Sequence, residues 1–355
     1  LAGGGKPGIQ AGSEEGRAMD YRYLGRSALK VSPLCLGTMM FGAETDEAAS
    51  RRIIDKAFDQ GVNFIDTANG YAGCRSEEVI GRAIAERRDA WVVATKFGYP
   101  AMADPGPNDQ GQSRKQVFQS VEASLRRLGT DYIDILYFHR AAPDAPLEEG
   151  VRAVGDLIRQ GKVRYFGLSN FKGWRIAEVA RLADQMGLDR PVASQPLYNL
   201  VDRTCEVEQL PAAARYGLGV VPYSPLARGV LTGKYAPGAA PPDGSRAARG
   251  DRRLHQTEWS RPQSLDIAQR IAARAAELNT TPVAFAIAWV LKNPLVSAAI
   301  AGPRTETQWD GYLPALQLKL GPEDEALVDS LVPPGHASAW GYTDPAYPVE
   351  GRPVR

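Results

Sequence analysis

A closed (β/α)8 TIM barrel, with an N-terminal β-hairpin and accessory C-terminal helices, is the fold class that three features of the sequence predict. Short apolar runs alternate with amphipathic helical stretches, eight such runs follow the hairpin, and each ends on a polar or backbone-exposing group. Alternating units of this kind imply a parallel sheet with helices outside it. Eight of them imply closure into a barrel. A doubly wound open sheet is the competing architecture, but no G-x-G-x-x-G turn follows an early strand.

Taken in order, Tyr21 to Leu24 and Leu29 to Ser32 flank Gly25-Arg26-Ser27 and read as the hairpin. Leu34 to Gly37 is the first barrel strand. Glu47 to Gln60 follows with helical apolar spacing, stopped by Gly61. Asn63 to Asp66 is the next strand, and Ser76 to Glu86 a helix whose Ser76 and Glu77-Glu78 suit an N-terminus. The unit recurs as Trp91 to Lys96 with Ser113 to Leu128, then Tyr132 to Phe138 with Leu147 to Gln160. It recurs again as Arg164 to Leu168 with Lys172 to Met186, and Val192 to Gln195 with Cys205 to Tyr216. Gly219 to Tyr223 leads into a Gly/Pro/Arg-rich passage from Ala227 to Arg261, then helices Gln263 to Leu278 and Pro282 to Lys292. Thr281 is an N-cap candidate, with Pro282 in the first turn. Val296 to Ile300 is the last strand, Thr305 to Leu316 the last barrel helix, and Pro322 to Leu331 an accessory helix.

Composition narrows the function classes. Lys and Arg number 42 against 41 Asp and Glu, net +1, so bulk charge supplies no attraction to nucleic acid or an anionic membrane. No run approaches the roughly 18 apolar residues of a membrane span. Residues 1–18 are Gly-rich and polar, begin with Leu and precede Met19, so they read as a vector-derived or disordered leader to a single barrel domain over 19–355. Cys35, Cys74 and Cys205 lack metal-ligand spacing, which predicts no metal and a reducing cytoplasm. His255 and His336 stand in polar loop contexts and read as ordinary surface residues.

In a barrel, the C-terminal strand ends face the active-site mouth. Those positions hold Gly37-Thr38, Asp66, Lys96, His139, Ser169-Asn170, Gln195, Tyr223-Ser224 and Gly302-Pro303-Arg304. Polar residues that simply begin loops explain the serines and asparagines. They explain Asp66 and Lys96 poorly, because a charge at a buried strand end needs a partner. A structural ion pair accounts for those two alone. With His139 and Tyr71 on the same rim, a chemical role is the better reading.

Asp66, Tyr71, Lys96 and His139 together resemble the catalytic tetrad of the aldo-keto reductase superfamily. GTMMFG from Gly37, FIDTANGY to Tyr71, SEEVIGRAI from Ser76, ATKFG from Ala94, GKVRYFGLSNF from Gly161 and YSPLARGVLTGKY from Tyr223 carry the same resemblance. It runs from Tyr21 to the final PAYPVEGR segment and is strongest toward bacterial members that also resemble potassium-channel β subunits. The family implies hydride transfer between a nicotinamide and a carbonyl. Tyr223 would stack on the ring, and Ser169, Asn170 and Gln195 would bond its carboxamide. Gly37, Thr38 and Asp66 would border the cofactor. Ser224, Leu226, Gly229, Leu231 and Lys234 match the segment that wraps the pyrophosphate, with Arg228 a further cation there. Gly302, Arg304 and Gln308 would hold the adenosine end, and an arginine beside a helix N-terminus favours a 2′-phosphate, hence NADP over NAD. Tyr312 departs from the family, which often has an Asn there.

The implied chemistry can be sized. Hydride arriving at a carbonyl carbon leaves oxygen charge that needs a proton and a polarising donor. A free phenol, with pKa about 10, is a weak acid at neutral pH. Lowering it by about 3 units requires roughly 4 kcal/mol, and one ammonium about 4 Å away at an effective dielectric near 20 supplies that much. Lys96 would be that ammonium for Tyr71, Asp66 would keep it placed and charged, and His139 would bond the substrate oxygen. Phe41, Trp174, Tyr198, Trp259 and Trp340 are aromatic candidates for the mouth, with helix-to-barrel packing preferred for Trp174. The expected partner is a small carbonyl or alcohol substrate, with homo-oligomerisation left open. A cofactor-binding regulatory subunit of channel-β type is the alternative. A lyase using Lys96 as a Schiff-base amine is opposed by Asp66, which would keep that amine charged.

Overall fold

The computed structural model of the chain describes residues 19–142, 145–251, 254 and 261–339. The leader at 1–18, the PAYPVEGR segment, His255, Trp259 and Trp340 lie outside the described residues. Strands β1 (Arg22–Tyr23) and β2 (Lys30–Val31) pair antiparallel as the expected hairpin. Eight parallel strands follow in the sheet. They are β3 (Leu34–Gly37), β4 (Phe64–Asp66), β5 (Val92–Phe97), β6 (Ile133–Phe138), β7 (Val163–Ser169), β8 (Ala193–Gln195), β9 (Gly219–Val220) and β10 (Ala299–Ala301). Each of β3 to β8 pairs with its successor, and β10 pairs with β3. The ring shuts where Val220 bridges Val296 in parallel and Ile300 N–H donates to Pro222 O at 3.0 Å.

Between strands run α1 (Glu47–Asp59), α2 (Arg75–Ile84), α3 (Arg114–Leu128), α4 (Leu147–Arg159), α5 (Gly173–Met186) and α6 (Gln209–Tyr216). After β9 come α7 (Pro262–Glu277) and α8 (Pro282–Lys292), and after β10 come α9 (Glu306–Asp310) and α10 (Pro322–Leu331). Thr281 does cap α8, its Oγ1 accepting from Ala284 N–H at 3.1 Å, with Pro282 in the first turn. Asp46 and Ser113 cap α1 and α3 in the same way.

Three elements depart from the sequence expectation. The stretch from Thr305 to Leu316 is two pieces, α9 and a 3-10 turn at Leu313–Leu316, because Pro314 lacks an N–H and disfavours helical backbone before it. Likewise α6 starts only at Gln209, after a 3-10 turn at Thr204–Glu206, which leaves Pro211 in its first turn. At α2, Ser76 is no cap. Cys74 takes the cap position in left-handed conformation (φ 75°), and the Ser76 hydroxyl instead donates to Thr38 O at 2.9 Å.

Period-two alternation sorts the strand residues into two cores. Leu36, Ile65, Val93, Leu136 and Leu168 point outward to the helices. Cys35, Phe64, Ala94, Ile135, Tyr137, Ala193 and Val221 fill the barrel, and the hairpin's Leu24 and Val31 plug its lower end. The interior layer directly below the mouth is shaped by one size match. A Cβ on Gly167 of β7 would lie 2.4 Å from Cε1 of the fully buried Tyr137 on β6. Gly167→Ala is therefore expected to destabilise the protein by about 1–3 kcal/mol. Paired with Tyr137→Val it should cost less than the sum of the two single changes. Urea denaturation of the four proteins in this cycle measures both outcomes.

Candidate functional site

One step above that layer, the inward positions of the eight strands are Gly37, Asp66, Lys96, His139, Ser169, Gln195, Tyr223 and Gly302, and the interior walls beneath them are apolar. Barrel closure thus brings together residues far apart in sequence. Lys96 Nζ, fully enclosed, bonds Asp66 Oδ1 at 2.5 Å, Thr67 O at 2.7 Å and the Tyr71 hydroxyl at 3.3 Å. An ammonium has three protons, and these three partners use them. Asp66 Oδ2 accepts from Gln195 Nε2 at 2.8 Å. Burial alone would lower the Lys96 ammonium. The Asp66 charge, then Tyr71, outweigh it and hold Lys96 above the usual lysine value.

Tyr71 reaches this point from the loop after β4, whose backbone is fixed by hydroxyls. Thr38 Oγ1 donates to Asp66 O at 2.9 Å, while Ser76 Oγ lies 3.0 Å from both Thr38 Oγ1 and Thr67 Oγ1. Ser76, in the first turn of α2 as expected, also anchors the far end of the Tyr71 loop to the ends of β3 and β4. Glu77 is likewise no simple N-terminal acid. It is buried, salt-bridged to Arg127 at 2.7 Å and bonded by the Thr95 hydroxyl at 2.5 Å, which braces β5 from outside beside Lys96.

His139 completes the group, its ring edge-on to Tyr71 with centroids 5.9 Å apart. Burial first, then the Lys96 and Arg140 charges, push the imidazole well below its ordinary pKa, so it is neutral near pH 7. Its Nδ1 is enclosed without a hydrogen-bond partner among the described residues, so the neutral ring places its N–H at Nε2 at least cost. Tyr99, which the sequence reading passed over, stands edge-on to His139 at 4.7 Å and lies under the Arg140 guanidinium at 4.3 Å. The ATKFG motif ends at the residue before Tyr99, the one signal that could have drawn notice to it.

The residues expected at a nicotinamide are bonded to this group. Asn170, in left-handed conformation (φ 59°), donates from Nδ2 to His139 O at 2.9 Å and to Ser169 Oγ at 3.1 Å. Its Oδ1 accepts from the Tyr223 hydroxyl at 2.8 Å. The site opens into a cavity of about 1200 Å³ lined by Tyr71, His139, Ser169, Asn170, Gln195 and Tyr223 at one end. Ser224, Leu226, Arg228, Gly229 and Lys234 border its middle, and Gly302, Arg304, Gln308 and Tyr312 its other end. Gly37, Thr38 and Asp66 also reach it, although Thr38 spends its hydroxyl on Asp66 O.

Several expectations fail. Leu231 is fully buried in the outer core and does not line the cavity, because the 3-10 turn at Ala227–Thr232 directs it inward. Phe41 is core, and Tyr198 packs on Trp289 and donates to Glu206 at 2.7 Å, so neither reaches the cavity. Trp174, expected to pack, is 51% exposed on α5.

The cavity suits an anionic, extended ligand. Ser224, Ala227, Arg228 and Gly229 all have positive φ, which curls the segment, and a Cβ on Gly229 would crowd Lys234 Nζ at 3.1 Å. At the far end Arg246 and Arg249, individually unforeseen in the Arg-rich passage, join Arg304. Arg246 pairs with Asp251 at 2.6 Å and Arg249 with Glu44 at 3.9 Å, so among the described residues three guanidiniums face two carboxylates there. Burial, then Arg249 and Arg246, pull the Arg304 guanidinium below its usual value. An anion bound there relieves that repulsion. Arg304 N–H donates to Gln308 Oε1 at 2.8 Å, which fixes the helix entrance.

The His139 environment gives a pH test. Its folded value lies below the unfolded 6.5, so the neutral ring contributes stability above about pH 6.5 that is lost as pH falls toward the lowered folded value. Wild type should lose up to about 1.4 kcal/mol per pH unit more than His139→Asn across that window, read by urea denaturation.

Known proteins agree with this architecture. The model of the "Aldo/keto reductase family" matches residues 33–333. An uncharacterised oxidoreductase of Bacillus subtilis, YrpG, is 38% identical over 91% of this chain and 100% of its own length. A probable voltage-gated potassium channel subunit beta of Arabidopsis thaliana is 40% identical over 82% of this chain and 89% of its own. A putative channel subunit beta of Schizosaccharomyces pombe is 38% identical over 88% and 93%. A barrel with Asp66, Tyr71, Lys96 and His139 gathered at its mouth, and similarity over nearly the whole of these relatives, place the chain in the aldo/keto reductase family.

Proposed function

We propose that this chain, acting as one barrel domain over 19–355, is an NADP(H)-dependent oxidoreductase that reduces an aldehyde or ketone to an alcohol, with Tyr71 as proton donor. The observation that carries the reading is the 3.3 Å contact between Lys96 Nζ and the Tyr71 hydroxyl, at the floor of an open cavity, with Lys96 kept charged by Asp66. A nicotinamide bound in the cavity supplies the hydride. The chain's own residues do the rest.

His139, neutral, donates from Nε2 to the carbonyl oxygen and orients it beside Tyr71. As charge gathers on that oxygen, Tyr71 transfers its phenolic proton to it. The developing phenolate is stabilised by Lys96 Nζ, which is already in place, so little reorganisation accompanies the step. In the oxidative direction the same groups run in reverse, with the phenolate accepting the alcohol proton. Tyr223, Ser169, Asn170 and Gln195, which line the same end of the cavity, would border a nicotinamide ring held there. The Arg246, Arg249 and Arg304 cluster supports a 2′-phosphate at the adenosine end, hence NADP over NAD. Tyr312, buried and edge-on to Trp309, lines that end where the family often has an Asn.

The named channel-subunit relatives favour one second reading, a cofactor-binding regulatory subunit with little turnover. The two part in a single assay. NADPH absorbance followed with a panel of small aldehydes should fall rapidly with wild type, and Tyr71→Phe should slow it by about 10²–10⁴-fold. Tight NADPH binding without turnover across the panel would favour the regulatory reading. Arg304→Ala should raise the NADPH dissociation constant and leave that of NADH nearly unchanged. An unchanged ratio would remove the phosphate role.

A further inference from the structure

Gln195 and Asp66 sit on opposite sides of the barrel, β8 and β4 being four strands apart in the ring, and their 2.8 Å hydrogen bond crosses the mouth. Both residues are almost wholly buried, at 2% and 3% exposure. Lys96 Nζ holds one oxygen of Asp66 and Gln195 Nε2 the other. The bond to Tyr71 is the longest of the three that Nζ makes, 3.3 Å against 2.5 and 2.7 Å. It is therefore the contact that yields first if Asp66 pulls harder on Nζ.

The inference rests on the reading of Tyr71 as proton donor. We propose that Gln195 is a positioning residue: by sharing the charge of Asp66 across the barrel, it keeps Lys96 within reach of Tyr71 and so sets how readily Tyr71 releases its proton. Gln195 also lines the cavity, and its Oε1 makes no hydrogen bond within the described residues. One amide can therefore face a ligand and hold Asp66 at the same time. Without the amide, a buried carboxylate oxygen is left lacking a donor, and its uncompensated charge acts on Lys96 and on Tyr71 alike.

Other ionisable groups face the pair. Cys35 on β3 and Tyr137 on β6 lie beneath it, with Tyr137 in the field of Asp66 and beside the Gln195 amide. Lys96 on β5 and His139, directly after β6, flank it, and Arg140 acts on His139 from beyond. Of these groups only Tyr137 also meets the Gln195 amide directly, and the others feel its replacement by an apolar side chain of similar length through Asp66.

The test is a pH titration of cofactor-free protein labelled with ¹³C at the tyrosine Cζ, the Tyr71 resonance being assigned by its loss in Tyr71→Phe. Gln195→Met should raise the Tyr71 midpoint by about one unit, a tenfold change in proton affinity. In an Asp66→Asn background the same substitution should move it by less than about a third as much, because the route through Asp66 is gone. An unmoved midpoint in Gln195→Met, or an equal rise in the Asp66→Asn background, overturns the proposal. If circular dichroism shows Gln195→Met unfolded, Gln195→Asn, one methylene too short to reach Asp66, takes its place in the same cycle. The titration needs no turnover. An unmoved midpoint in Gln195→Met, when the wild type reduces aldehydes, fails this proposal alone, whereas an intact cycle with a wild type that reduces no aldehyde fails only the reductase reading.

Discussion

A lysine and an aspartate taken out of water at the centre of a barrel are the constraint on which the site depends. Desolvating each ion costs several kcal/mol, and their attraction offsets that only with good geometry and with the remaining protons and lone pairs satisfied. Here the satisfaction is complete. Lys96 Nζ has Asp66, Thr67 O and Tyr71, and Asp66 has Lys96 and Gln195. Lys96 stands on β5, its three partners come from the end of β4 and the loop after it, and Gln195 comes from β8 across the ring, so the full arrangement exists only when the barrel is closed. The helix-side bracing follows from the same need. Glu77 and Arg127 hold β5 from outside through Thr95, the neighbour of Lys96, and the Thr38, Thr67 and Ser76 hydroxyls hold the loop that carries Tyr71.

Electrostatics divides the cavity into two ends. At the mouth floor the charges are matched and the nearby imidazole is kept neutral, which suits a group that donates a hydrogen bond without competing for the proton. At the far end, among the described residues, Arg246, Arg249 and Arg304 outnumber Glu44 and Asp251, which suits an anion. An extended ligand with a neutral reactive ring and a charged tail matches both. The left-handed residues Ser224, Ala227 and Arg228 sit between, where the chain must turn closely about the cavity.

The barrel was legible because it is written in short-range pattern, whereas Asp66, Tyr71, Lys96 and His139 stood out as a set through their resemblance to a family's tetrad. Strand alternation and helix spacing locate every strand to within a few residues, and the strand-end polar residues point to one rim. What the sequence did not carry depends on local competition or on distant partners. Pro314 and Pro211 reset helix boundaries that apolar spacing had drawn too long. Ser76 and Glu77 have the composition of a helix start, but the hydroxyls and guanidinium that claim them belong to the ends of β3 and β4, to β5 and to α3, out of sight of any local rule. Leu231 lies in a motif whose neighbours line the cavity, yet the turn it sits in directs it into the core. Tyr99, Arg246 and Arg249 have no strand-end position to mark them, and only the folded loops bring them to the cavity.

The chemistry of the site stands or falls on the charge of Lys96. The direct measurement is a pH titration of the Lys96 side-chain nitrogen by ¹⁵N NMR in cofactor-free protein, assigned by its loss in Lys96→Met and repeated in Asp66→Asn. The account predicts an ammonium that persists through neutral pH and beyond the ordinary lysine range in wild type, with a lower midpoint once Asp66 is neutral. A neutral Lys96 amine at pH 7 in wild type, or a midpoint indifferent to Asp66→Asn, would contradict it.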